Sequence, residues 1–261
     1  MEIIHTYEVY KIQDEEIRKS NEWGKPKVLI QFREQYKGFT ENDINTLKSF
    51  LSDNEKKWFV ADLLDVLDSF PIELLKPMIN TAVDERDPSY NNKFIRPCRR
   101  VFDYVDIQQI LLDIFQNGDN KNKISVARAL YWVRRTVNIL EVYTLREDET
   151  YQQKNAKGYH VFRWEPELEE FDDDFVEDLD VYERESPRQT AAYQKQIEIL
   201  ISEFFITYDL ELKYHISLRL SKEIDDYPIQ IKDQADKYLL ENKKQNIPTN
   251  AMELETALKA K

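Results

Sequence analysis

Five positions recur in the same register three times along this chain, and that repeat restricts the fold more than any other feature. The frame is an Asp, a Lys four residues on, a β-branched apolar residue three further, a small residue beside it, and a Leu three later. Its clearest copy is Asp119, Lys123, Val126, Ala127 and Leu130. Asp53, Lys57, Val60, Ala61 and Leu64 fill it earlier, and Asp209, Lys213, Ile216, Ser217 and Leu220 fill it later. A looser copy runs from Asp87 through Lys93, Phe94, Ile95, Cys98 and Val101. Self-similarity at multiples of roughly 30 to 40 residues is the mark of stacked repeats.

The frame is helical. Val126, Leu130 and Val133 lie four and three apart and so share one helix face rather than alternating across a strand. Asp119 stands at an N-cap position after Gly118, whose backbone freedom suits the end of the preceding helix. Ala or Ser at the small position lets a neighbouring helix approach closely. The Lys can bury its stem and hold its ammonium near an Asp of its own or the adjacent repeat. Four glycines in 261 residues, with 41% hydrophobic and 33% charged residues, fit helices joined by short connections and argue against a Gly-rich β fold.

On Asp53/Lys57, Asp119/Lys123 and Asp209/Lys213 the frame resembles the second helix of a HEAT repeat. In that family an Asp in the turn and a basic residue early in the helix form a ladder along the stack. The resemblance implies an all-α, right-handed superhelix of stacked helical pairs. On that basis residues 1–39 are a short β or irregular cap, 40–145 and 187–261 are repeats, and 146–186 are an acidic insertion, all in one continuous domain. Within the cap, Tyr7, Val9 and Ile12 suit a strand, while Ile3, Ile4, Tyr7 and Tyr10 fit a helix equally well.

Elsewhere the signals are local. Thr40 to Asp43 reads as a capping box, residues 84–92 as a loop, and a long helix starts at Asn120 and runs to about Leu145. Pro97 falls inside the looser copy, against the pattern. Tyr159 to Trp164 suits an extended piece, and Pro187 restarts helical periodicity. Leu210 to Leu220 alternates strictly, yet its match to the frame decides for helix.

Charge is unevenly spread. The net charge is −13, and residues 165–185 hold twelve acids against one base, so nearly all the excess sits there. Residues 93–135 hold nine bases against four acids. Arg96, Arg99 and Arg100 partly share one helix side, as do Arg128, Arg134 and Arg135, with Trp132 beside the latter. Basic groups interleaved with aromatics can grip phosphates and stack bases. The commoner role for such arginines is pairing with acids of neighbouring repeats. In the acid run, Asp172, Asp173 and Asp174 are flanked by Phe171 and Phe175, a composition that orders on a partner. Such a run either folds onto the chain's own arginines or engages a basic protein.

Catalytic signals are sparse. His5, His160 and His215 belong to no metal-spaced cluster, and P-loop, Rossmann, GxSxG and HExxH patterns are absent. The single cysteine, Cys98, lies near three arginines but at an apolar position, which favours a buried structural role. The start of the chain lacks a basic secretion signal, so a cytoplasmic location is expected.

The sequence therefore leads us to expect a non-catalytic protein-interaction scaffold. It would present a concave helical surface and the acid run, and use no cofactor or metal. The expected partner is a protein, a basic one fitting best, with no membrane and with nucleic acid disfavoured by the net charge. Partner-binding candidates are Arg96, Arg99, Arg100, Arg128, Trp132, Arg134, Arg135, Phe171, Asp172, Asp173, Asp174 and Phe175. Two alternatives stay open. One is an inhibitor or immunity-type protein that neutralises a basic toxin or nuclease. The other is an enzyme on nucleic acid, because the alkylpurine DNA glycosylases are built from HEAT-like repeats with a basic concave face. The sequence carries no signal for oligomeric state.

Overall fold

A computed structural model describes residues 2–20, 24–85, 87–133, 138–145, 151–154, 181–184 and 187–259. The fold is all-α. Among the described residues eight α-helices precede the acid-rich region: α1 (Ile3–Ser20), α2 (Lys27–Gln35), α3 (Glu41–Leu51), α4 (Lys56–Val66), α5 (Leu75–Asp84), α6 (Pro88–Val101), α7 (Tyr104–Asn117) and α8 (Asn120–Ala129). Four follow it: α9 (Pro187–Ile206), α10 (Leu210–Ser217), α11 (Lys232–Lys244) and α12 (Ala251–Lys259). Among the described residues no helix is long and apolar enough to cross a membrane.

Two compact units divide the chain, one made of Met1–Val133 with Ile199–Lys261 and the other of Arg134–Glu198. Described elements of the second unit include strands β1 (Asn138–Leu145), β2 (Tyr151–Lys154) and β3 (Val181–Arg184), an antiparallel sheet in the order β2-β1-β3. Val142 pairs with Lys154 and Leu145 with Tyr151 on one side of β1, and Asn138 with Arg184 on the other.

In the first unit, consecutive helices pair as α1 with α2, α3 with α4, α5 with α6, and α7 with α8. From α1 to α8 each helix also packs on the next but one, so α1, α3, α5 and α7 form one row and α2, α4, α6 and α8 another. α10 continues the even row by packing on α8. All copies of the frame, the looser one included, fall in that even row, on α4, α6, α8 and α10. The reason is visible in the buried positions. Val60, Ala61, Leu64, Val126, Ala127, Leu130, Ile216 and Leu220 are all buried, as are Phe94, Ile95 and Cys98 of the looser copy. Helices covered on two sides need small residues among large ones, and the frame supplies both.

The frame's aspartates act as caps. Asp119 accepts from the Asn122 backbone N–H at 2.9 Å and Asp209 from Leu212 at 3.0 Å, while Asp53 takes the N–H groups of Glu55 and Lys56. The lysines do not return to an Asp, contrary to expectation. Lys57 donates to Glu85 and Lys123 to Glu203, both at 2.8 Å, and Lys213 donates to Gln245 at 2.7 Å. Each of those partners lies at or near the C-terminal end of the following long helix (α5, α9 or α11), and each ammonium also stands within 6 Å of an aromatic ring, Trp58, Phe115 or Phe204. A lysine stem is long enough to span to the neighbouring helix end, where the acid or amide and the terminal carbonyls attract it.

Several local expectations need correction. The N-terminal segment is two helices rather than a β or irregular cap, because Ile3, Tyr7 and Tyr10 form a buried face with Thr6. The loop expected over 84–92 is short: Asp87 caps α6, accepting from Ser89 at 2.8 Å, and Pro88 takes the first position, where its missing N–H costs nothing. Pro97 lies inside α6 without ending it. The helix from Asn120 stops at Ala129 and a 3₁₀ turn over Leu130–Trp132, and Asn138–Leu145 is a strand. That stretch is rich in β-branched and aromatic residues, which favour a pleated surface. Gly118 is extended (φ −87°, ψ 166°), so its conformational freedom is unused. A Cβ there would lie 2.6 Å from Asn122 Cβ and 2.7 Å from the Ile114 carbonyl, and this crowding is what requires glycine. The capping box stands: Thr40 and Asp43 exchange both hydrogen bonds. Tyr159–Trp164 lies outside the described residues.

Candidate functional site

One almost fully buried carboxylate collects the charges of the even row. Asp65 sits in the last turn of α4, among the apolar residues that seat this helix, and is only 6% exposed. Arg96 on α6 grips it with two parallel bonds, Nε to Oδ1 at 2.9 Å and Nη2 to Oδ2 at 2.5 Å. Lys25, just ahead of α2, binds the same Oδ2. Arg100, one turn beyond Arg96, donates to the backbone carbonyl of Asp65, approaches its Oδ1 at 3.7 Å, and reaches the Leu67 carbonyl at 3.5 Å. These are carbonyls of the helix end that lack intrahelical partners, and a guanidinium satisfies them while meeting the negative end of the dipole. Burial alone would raise the Asp65 carboxyl, but Arg96 and Lys25 more than offset that and hold it below the ordinary carboxylate range. Asp68 extends the cluster: Arg33 donates to it at 3.2 Å and Arg100 stands 3.9 Å away.

Arg128 belongs to a second cluster, between α8 and α10. Its Nη2 donates to Glu211 at 2.7 Å and its Nε to His215 Nε2 at 3.1 Å. Asn120 of α8 donates to Asp209, the cap of α10, at 3.3 Å. His215 accepts through Nε2, so its ring proton belongs on Nδ1. Burial, followed by the charges of Arg128 and Arg219, lowers its pKa from 6.5 to about 4 and keeps the imidazole neutral.

The sequence-derived candidates are thus placed as follows. Arg96 and Arg100 meet at Asp65, with Arg99 on the same helix. Arg128 faces Glu211 and His215. Trp132 packs edge-on against Tyr131 with ring centres 4.8 Å apart. Arg134, Arg135, Phe171, Asp172, Asp173, Asp174 and Phe175 lie outside the described residues. Asp65 itself was not legible as a site residue, because its cationic partners are 31 to 40 positions away in the chain.

A groove of about 380 Å³ opens beside α1, with Tyr7, Tyr10, Asp14, Arg18, Glu55 and Trp58 in its walls. Tyr10 donates to Asp62 at 2.8 Å, and burial together with that carboxylate pushes its phenol upward. Asp14 and Arg18 pair at 2.8 Å along the helix. Cys98 is buried, its Sγ 3.3 Å from the Phe94 carbonyl, and burial pushes the thiol up and away from nucleophilic chemistry. Among the described residues no group of three or more His, Cys, Asp or Glu side chains is arranged to hold a metal ion.

These features define a helical protein whose even row is stitched by buried and half-buried charge pairs. Comparison of the chain with family models, with curated proteins and with solved structures finds no match.

Proposed function

We propose that this chain is a non-catalytic protein-interaction scaffold that recruits a basic protein partner through the acid-rich run at residues 165–185. The observation that carries this reading is the uneven distribution of acids along the sequence. In the helical unit, Arg96, Arg100 and Arg128 are bonded to Asp65, to carbonyls of the α4 end and to Glu211. By contrast, twelve acids within residues 165–185 have one base among them. A run of this composition steers a basic partner from a distance and makes association fall with ionic strength.

A HEAT-like stack is the architecture we propose for the helical unit. It is supported by copies of the frame on α4, α6, α8 and α10, neighbours in one row. The inhibitor or immunity-type role is the narrower form of the same proposal, in which the basic partner is a toxin or nuclease. Division of the arginines between two charge clusters argues against one continuous phosphate-gripping face, and so against the glycosylase alternative.

The test is affinity capture from lysate with the full chain and with residues 165–185 deleted. Capture of one basic protein by the intact chain, weakened by salt and lost on deletion, supports the proposal. Equal capture by both forms, or recovery of nucleic acid by the intact chain, refutes it.

A further inference from the structure

We propose that the cluster around Asp65 is a binding site for one phosphate group. Lys25, Arg33, Arg96 and Arg100 are four cations arranged on two carboxylates, Asp65 and Asp68. The surplus is two positive charges. The negative end of the α4 dipole, which Arg100 meets, cancels only about half a charge of it. The nearby Lys93 and Asp62 pair with each other at 3.8 Å and leave the balance unchanged.

The cations are close together. Arg33 and Arg100 approach the same Oδ1 of Asp68 at 3.2 and 3.9 Å, and Lys25 and Arg96 share Oδ2 of Asp65. They are also reachable, with side chains between 40% and 51% exposed, while the carboxylate that fixes two of them is 7% exposed. Donor capacity remains. Arg96 uses Nε and Nη2 on Asp65, which leaves Nη1; Arg33 uses Nη2 alone, which leaves Nε and Nη1. The Arg96 fork, held by a buried carboxylate, is preorganised, so little of its rotamer entropy is lost when an oxyanion binds.

A tetrahedral dianion matches both the surplus charge and the several spare N–H groups better than a single carboxylate does. Asp65 is the positioning residue, and Arg33, Arg96, Arg100 and Lys25 are the ligands. The site is small and single, distinct from a phosphodiester track, and it does not depend on the acid-run proposal.

The experiment is calorimetric titration of the full chain with inorganic phosphate and, separately, with methyl phosphate, in chloride buffer of constant ionic strength. Arg33→Gln is the informative variant, because Arg33 touches only the exposed Asp68 and its loss leaves the Asp65 pairs in place. Arg18→Gln, in the groove beside α1, is the control. A thermal melt of each variant verifies folding. Saturable binding by the parent chain, weakened about tenfold in Arg33→Gln and unchanged in Arg18→Gln, is expected for the loss of one charge-assisted contact. Methyl phosphate binding as well as phosphate identifies a monoester as the ligand; its exclusion identifies the free ion. Absence of saturation with both ligands, or equal affinity in Arg33→Gln, overturns the proposal.

Discussion

Acidification should destabilise this protein through His215 well before most carboxylates titrate. The imidazole is held neutral by burial and then by the charges of Arg128 and Arg219, which lower its pKa from 6.5 to about 4. The unfolded chain therefore takes up a proton at His215 that the folded chain refuses. Its contribution is fully present above the unfolded value near 6.5 and is lost as pH falls toward the folded value near 4. Integrated over that difference the loss reaches about 3 kcal/mol, of which about 2 kcal/mol falls between roughly pH 7.5 and pH 5. Urea denaturation at those two pH values, for the parent chain and for His215→Gln, isolates the effect. Gln offers a carbonyl to Arg128 Nε in place of the ring nitrogen and has no proton to gain. The parent should lose about 2 kcal/mol more than the variant across the window. Equal losses would refute the reasoning, because burial and the charges facing this histidine would then not be excluding its proton.

Three further outcomes follow from the packing. Replacing Asp65 with Asn leaves Lys25, Arg96 and Arg100 without their carboxylate and should cost about 2–3 kcal/mol in chemical denaturation, below the full cost of breaking a buried pair because the cations are half exposed. Gly118→Ala places a methyl 2.6 Å from Asn122 Cβ and should cost about 1–3 kcal/mol, whereas Gly24→Ala, with no atom within 4 Å of its Cβ position, should be near neutral. Cys98 should resist a thiol reagent in the native protein and react fully once the chain is unfolded in denaturant, as measured by absorbance of the released chromophore.

The even row was legible in the sequence and its connections were not. Asp, small residue and Leu at fixed spacing betray a cap and a two-sided helix, because both depend on neighbours within a turn or two. The partners of Lys57, Lys123 and Lys213 sit 28, 80 and 32 positions away, beyond any local pattern. Asp65 escaped notice for the same reason, and looked like one more acid in an apolar stretch. At the N-terminus, Tyr7, Val9 and Ile12 spoke for a strand, and the helical spacing of Ile3, Tyr7 and Tyr10 won because that face has α2, α3 and α4 to cover it. The arginines of α6 and α8 looked like partner-binding groups because sequence reports density of charge, not which carboxylate each base meets.

The pairing of α8 with α10 also governs the order in which the chain can assemble. Joining Asn120 to Asp209 closes a loop of 89 residues, whereas joining Lys57 to Glu85 closes one of 28. The longer closure costs about 1 kcal/mol more in chain entropy. Helices α1 to α8 are contiguous and meet through short loops, so they can collapse while the ribosome is still supplying the rest. The segment from Asp209 onward emerges later, so α8 can be in place before α10 docks on it.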